Sequence, residues 1–336
     1  MKKLKIGVLM HPSLIPPPSR EGFSEKEIDT WKTEYDVVST LRKLGHEVRP
    51  VGVYDDLGPL RELIAEWQPD LFFNLLEEFL GDPHFDFHVV GYLEMKQVAF
   101  TGCRPRGLII SRDKALAKKI LHYHRIRVPN FVVFPRGRKA RRPRALSFPL
   151  IVKSLTEEAS AGIAQASIVD SDEKLADRVA FIHDNIGTDA LVEEFIEGRE
   201  LYACVIGNRT AKVLPIWELV FENLSPGTAA IATAQVKHNA EYQRKRGIFQ
   251  QPADDLPPGV EERLVRTSRK IYKLLQLDGY ARLDFRLRPD GEFYFLEANP
   301  NPEIAETEEF ASAAAEAGIE YPQLLEKIVK LALKRD

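Results

Sequence analysis

Between residues 4 and 102, apolar runs short enough for strands alternate with amphipathic stretches long enough for helices. The strand runs are "LKIGVLM" (4–10), "HEVRPVGV" (46–53), "DLFFNLL" (70–76) and "VAFTG" (98–102). Helical periodicity is carried by "TWKTEYDVVSTLRKLG" (30–45), "GPLRELIAEW" (58–67) and a stretch near 83–95. Alternation at this spacing implies a parallel sheet covered on both faces. No glycine fingerprint follows the first strand; "HPSLIPPPSREG" (11–22) stands there instead, which argues against a Rossmann dinucleotide site.

The chain has 336 residues, enough for two or three domains, and its 44% hydrophobic and 29% charged residues are ordinary for a globular protein. A formal net charge of -3 argues against nucleic acid as the main partner. The two cysteines, Cys103 and Cys204, have no metal-ligand spacing and sit among apolar neighbours, so buried thiols are expected. The first apolar run, Ile6 to Met10, is too short for a signal peptide, and no stretch approaches the roughly 18 apolar residues of a membrane span. The expected location is cytoplasmic, with no membrane partner.

From "SRDKALAKKILHYHRIRVP" (111–129) the texture changes, with Ser111 placed to cap a helix that ends before the strand "NFVVF" (130–134). "RGRKARRPR" (136–144) packs six basic residues into nine without a hydrophobic period and reads as a solvated loop or, alternatively, a local site for phosphates or acidic partners. Then come a strand in "FPLIVKS" (148–154), the loop "LTEEASAGIAQAS" (155–167), a helix near 172–184, and strands in "ALVEEFI" (190–196) and "RELYACVIGN" (199–208). A long, poorly periodic stretch (221–258) precedes a helix at 260–276, and an amphipathic helix (321–333) closes the chain. The expected division is 1–110, 111–190 and 191–336, α/β at first and α+β afterwards.

"ARLDFRL" and "EFYFLEA" flank "RPDG", a strong hairpin turn. With the turn at Arg288–Gly291, Arg282 would face Glu297 and Asp284 would face Phe295. Arg282, Asp284, Glu297 and Asn299 then share one face, while Leu283, Phe285, Leu296 and Ala298 point the other way. Two carboxylates and a carboxamide without histidine or cysteine form a hard oxygen site of the kind that suits Mg²⁺. No P-loop is present, so phosphates would need cations such as Lys114, Lys153 and Lys237. Ala159, Ser160, Ala161 and Gly162 could let backbone N–H groups close over a phosphate.

Together these blocks resemble the ATP-grasp superfamily, and within it the D-alanine–D-alanine ligase-like branch. The resemblance runs from "RDKALAKKILHYHRIRVP" through "FPLIVKSLTEEASAGI" and "LVEEFIEGREL" to "GYARLDFRL…GEFYFLEANPNPEI". It implies an ATP-grasp fold with an N-terminal parallel-sheet domain. It also implies ATP with two magnesium ions, small-molecule substrates and, since dimers are common there, a homodimer. Lys114 and Lys153 match lysines that contact ATP phosphates, and the "TEEASAG" turn with Ser160 matches the loop that covers them. Glu193 matches the acid at the adenine amino group, Phe195 and Ile196 the adenine slot, and Glu200 the acid at the ribose hydroxyls. Lys237 resembles a lysine on the mobile substrate-side loop. Asp284, Glu297 and Asn299 match the magnesium ligands, and Arg282 the arginine that stabilises the acyl phosphate and tetrahedral intermediate.

The activity implied is ATP-dependent carboxylate–amine ligation through an acyl phosphate. The substrate loop departs from the pattern N-x-x-P-G-M-T of D-alanine–D-alanine ligases: "NPNPEIAE" puts Glu303 at the glycine position. The first loop has no convincing Ser-x-Glu, and Ala159 replaces a phosphate-loop serine. The ATP and metal sites carry over better than the D-alanine sites, so the expected substrate is another amino acid, a peptide or a small carboxylic acid, with Glu303 a candidate holder of an amino group. An authentic D-alanine–D-alanine ligase and an ATP-binding protein that no longer ligates remain the alternatives.

Overall fold

The computed structural model describes residues 2–157, 162–225, 227–233, 235–236 and 239–335. Three sheets organise them. Strands β1 (Lys5–Met10), β2 (Glu47–Gly52), β3 (Leu71–Asn74) and β4 (Ala99–Phe100) form a parallel sheet in the order β2-β1-β3-β4. Its middle strands are apolar on both faces: Ile6, Val8, Leu9, Leu71, Phe72 and Phe73 are all fully buried, as helices on both sides of a parallel sheet require. One of those covering helices is the last in the chain, Tyr321–Leu333, whose Leu324, Leu325, Ile328 and Val329 share a core with Ile6, Val8 and Phe73.

The second sheet is antiparallel: β5 (Phe131–Phe134), β6 (Leu150–Ser154), β7 (Ile168–Val169) and β8 (Ala190–Glu194), in the order β5-β8-β6-β7. The third has six strands: β9 (Arg199–Gly207), β10 (Ala211–Val213), β11 (Trp217–Phe221), β12 (Ile248–Pro252), β13 (Tyr280–Leu287) and β14 (Phe293–Pro300). Its order is β12-β11-β9-β13-β14, with β10 on β9. One face packs Leu201, Ala203, Val205, Leu283 and Phe285 against the helix Val260–Leu274. The opposite face carries charge.

Several local expectations change. Ser111 lies inside a helix of its own, Pro105–Arg112, and the next helix, Lys114–Tyr123, is capped by Asp113, whose carboxylate accepts the Leu116 N–H at 2.8 Å. The stretch 221–258 holds a helix, Ala240–Arg246, and the edge strand β12. The hairpin register is two residues from the expected one at its outer end: Arg282 faces Asn299 and Asp284 faces Glu297. A bulge then shifts the pairing, so that Phe285 faces Phe295 and Leu296 has no opposite number. Phe295 therefore enters the core and Leu296 turns to the charged side, reversing the expected placement of Leu296. Cys103 and Cys204 are fully buried free thiols, and burial pushes Cys204 up to about 12. Among the described residues no helix is long and apolar enough to cross a membrane.

Leu325 is fully enclosed where the last helix meets the first sheet. Leu325→Ala is expected to cost ~2–5 kcal/mol of stability, measured by urea unfolding.

Candidate functional site

The charged face follows from strand periodicity. On β9 the apolar residues Leu201, Ala203 and Val205 go to the core, so Glu200 and Tyr202 must point the other way. On β13 the same alternation turns out Arg282, Asp284 and Arg286; on β14 it turns out Glu297 and Asn299. Arg282 donates to both oxygens of Asp284, from Nε at 2.8 Å and Nη2 at 3.1 Å, and its Nη1 contacts Glu309. Burial opposes the Arg282 charge, but Asp284 outweighs it and holds the guanidinium well above its ordinary range. The Asn299 amide donates to Asp284 Oδ2 at 3.1 Å. Arg286 pairs with Glu200 at 2.8 Å and donates to the Gly198 carbonyl at 2.8 Å.

The second sheet supplies the facing wall. Glu193 on β8 is 1% exposed and lies between two ammonium groups, Lys153 Nζ at 2.6 Å from Oε1 and Lys118 Nζ at 3.2 Å from Oε2. Burial alone would raise the Glu193 carboxyl; Lys118 and Lys153 override it and hold it below its usual range. Lys114 opens the helix Lys114–Tyr123, donates to the Glu157 carbonyl at 2.5 Å and lies 3.8 Å from Glu297. Between the two sheets a cleft of about 580 Å³, part of it open to solvent, is lined by Ile151, Lys153, Glu193, Phe195, Ile196 and Glu200, with Ile231, Asp284, Arg286, Leu296 and Glu297. Ile231 and Ala232 come from the poorly periodic stretch, which thus contributes to the cleft wall.

Of the residues singled out in the sequence, the cleft brings together Lys153, Glu193, Phe195, Ile196, Glu200, Asp284 and Glu297. Lys114, Arg282 and Asn299 adjoin it through Glu297 and Asp284. Ser160 and Lys237 lie outside the described residues. Glu303 stands apart, accepting from Thr33 Oγ1 at 3.1 Å. Sequence reasoning missed Lys118, Arg286 and Glu309. Two of these were within reach: Lys118 is one helical turn beyond Lys114, and Arg286 shares the strand face of Arg282 and Asp284.

Could Mg²⁺ be held here? Asp284 and Glu297 face each other across β13 and β14, Asn299 touches Asp284, and neither histidine nor cysteine intervenes in the set. Among the described residues no three His, Cys, Asp or Glu side chains cluster for a metal. Two carboxylates and an amide fit a cation that keeps water and phosphate oxygens in its shell.

Comparison with known proteins agrees with this geometry. Residues 120–330 match the family model described as D-ala D-ala ligase C-terminus. A D-alanine–D-alanine ligase of Desulforudis audaxviator is 31% identical over 335 residues, 98% of this chain and 99% of that protein. The chain belongs to this family. It is an ATP-grasp ligase, an ATP-dependent carboxylate–amine ligase by activity. The uncharacterized protein y4sG of Sinorhizobium fredii is 32% identical over 310 residues, 89% of this chain and 87% of that one. Among solved structures, the ligase resembles the D-alanine–D-alanine ligase of Bacillus anthracis complexed with ATP, with a TM-score of 0.74, 24% identity and 98% of each chain covered.

On the far side of Arg282 the ligase gathers acids. Lys32 contacts Glu308 at 2.5 Å, and the Glu306 N–H donates to Asp36 at 3.1 Å, which also holds Arg20 of the first loop. Glu34 on the helix Lys32–Lys43 is 6% exposed, and burial, reinforced by Glu303, pushes its carboxyl up to about 7. Glu34 thus binds its proton more tightly folded than unfolded. Its penalty is absent in acid, below the unfolded value, grows as the pH rises, and is complete above about 7. Glu34→Gln is expected to stabilise the protein by roughly 2–3 kcal/mol at pH 8, a gain that shrinks toward zero by about pH 4 in denaturation curves.

Proposed function

We propose that the cleft binds Mg-ATP between the two antiparallel sheets and that a carboxylate substrate enters from the side of Arg282 and Glu303. The observation that carries the reading is the convergence of Lys114, Lys153, Asp284 and Glu297 on one cleft next to a buried arginine. Lys114 and Lys153 would face the phosphates, Glu193 the adenine amino group, and Glu200 the ribose hydroxyls. Phe195 and Ile196 would line the base, and the roles of Ser160 and Lys237 rest on the family resemblance alone. Asp284, Glu297 and Asn299 would hold two magnesium ions, which would supply charge neutralisation at the β- and γ-phosphates.

In the first step a substrate carboxylate oxygen attacks the γ-phosphorus, giving an acyl phosphate and ADP. In the second, an amine nitrogen attacks the acyl carbon, loses a proton, and inorganic phosphate departs with the oxygen it received from the carboxylate. Arg282 would steady the oxyanion that forms between these events. Its described contacts use three of its five N–H donors and leave two for that task. Loops over the cleft would keep water from the acyl phosphate.

Glu303, beside Thr33 and Lys32, is the proposed holder of a substrate amino group. The reading also takes the protein to be cytoplasmic and homodimeric, as the family resemblance implies. The domain division at residues 110 and 190 belongs to the same proposal. A narrower reading, ligation of two D-alanine molecules, is favoured by the names of the relatives and opposed by Glu303 in the substrate loop. ADP release with D-alanine, set against a panel of amino acids, decides between them: strong turnover with D-alanine alone would establish the narrower one. Mass spectrometry of products from ATP, Mg²⁺ and pooled amino acids names the substrates.

Asp284→Asn and Glu297→Gln are each expected to lower Mg²⁺-dependent ADP release by ~10²-fold or more. Both variants should melt as cooperatively as the parent. Full activity in either would remove these residues from the metal site.

A further inference from the structure

The bulge in β14 leaves the Leu296 residue without a partner on β13. Its carbonyl is not orphaned, because Lys118 Nζ donates to it. The same ammonium lies 3.2 Å from Glu193 Oε2 and 5.8 Å from the centre of the Phe295 ring. Lys118 is 1% exposed, so every polar contact it makes is with protein. Burial lowers its pKa, and Glu193 opposes that pull.

Such an arrangement is a poor way to gain stability. A buried ammonium is costly to desolvate, and a well-packed apolar side chain of similar volume usually serves the fold as well or better. Lys118 does have a geometric consequence, however. Its ion pair restrains Glu193 Oε2, an oxygen that accepts no hydrogen bond among the described residues, while Lys153 donates to the other oxygen from the cleft side. It also joins that carboxylate to the residue preceding Glu297.

We propose that Lys118 is a positioning residue of the nucleotide site. Its ammonium holds Glu193 in the orientation that accepts the exocyclic amine of adenine, and so sets the choice of an adenine over a 6-oxopurine nucleotide. The inference rests on the reading of Glu193 as the acid at the adenine amino group. Without Lys118, Glu193 swings toward Lys153, the amine loses its acceptor, and discrimination falls.

The test compares Mg-ATP with Mg-ITP, which carries an oxygen where ATP carries that amine, by titration calorimetry on the full chain. The parent protein is expected to prefer ATP by ~10-fold or more, the scale of a hydrogen bond to a charged acceptor. Glu193→Gln and Lys118→Met should each bring the preference within about 3-fold. Lys118→Gln fills the same space with a side chain too short to span Glu193 and Leu296 together. It should behave likewise and serves where Lys118→Met does not fold. A purely structural role for Lys118 would weaken both nucleotides equally and leave the ratio unchanged, which overturns the proposal. Loss of preference in Glu193→Gln alone refutes the role of Lys118 and keeps that of Glu193. A ratio unmoved in every variant refutes both.

Discussion

The pairing of β13 with β14 around a one-residue bulge is the constraint on which the site depends. Before the bulge, Asp284 and Glu297 stand opposite each other with Arg282 and Asn299 beyond them. After it, Phe285 and Phe295 meet edge to face at 5.9 Å in the core. A regular hairpin would have kept a single alternation along both strands. The extra residue lets one strand end in charge and begin in core without a break. Asn301, with φ 53°, then turns the chain, and its side chain accepts the Cys103 N–H at 2.6 Å. The proline-rich end of β14 is thereby fastened to the segment that leaves the first sheet.

Around this hairpin the ligase maintains an unusual concentration of buried charge. Lys118, Lys153 and Glu193 lie on one wall, with Arg282, Asp284 and Glu309 on the other. Each ion is partnered, as burial demands. The two lysines on Glu193 nevertheless outnumber it, and burial against Lys153 is overcome by Glu193 and Glu297 acting together. Lys153, which lines the cleft, offers a cation to a polyanionic nucleotide. The carboxylates on the opposite wall suit the cation that accompanies it.

Much of the fold was legible because its signals are local. The four parallel strands, the hairpin turn at Arg288–Gly291 and the last helix follow from alternation, turn residues and helical period. The face shared by Arg282, Asp284, Glu297 and Asn299 also survives a wrong register, since a shift of two residues conserves the face. The bulge carried no such signal: Phe295 and Leu296 are both apolar, and only packing decides which enters the core. The helix Pro105–Arg112 was hidden by its mixed composition, and Ser111 was misread as a cap in consequence. The position of Lys118 one turn beyond Lys114 was readable, but its burial was illegible for another reason. A lysine on a helix reads as surface, and its burial depends on Glu193, 75 residues away in sequence, and on the Leu296 carbonyl supplied by the bulge.

The central claim, that this cleft activates a carboxylate by phosphorylation, is tested most directly by following oxygen. The ligase would be incubated with Mg-ATP and pooled amino acids whose carboxylates carry ¹⁸O, and the released phosphate examined by mass spectrometry. The account predicts ADP together with inorganic phosphate that has gained one ¹⁸O, in step with amide formation. Amide formation with AMP and pyrophosphate, or with ADP and unlabelled phosphate, would contradict it.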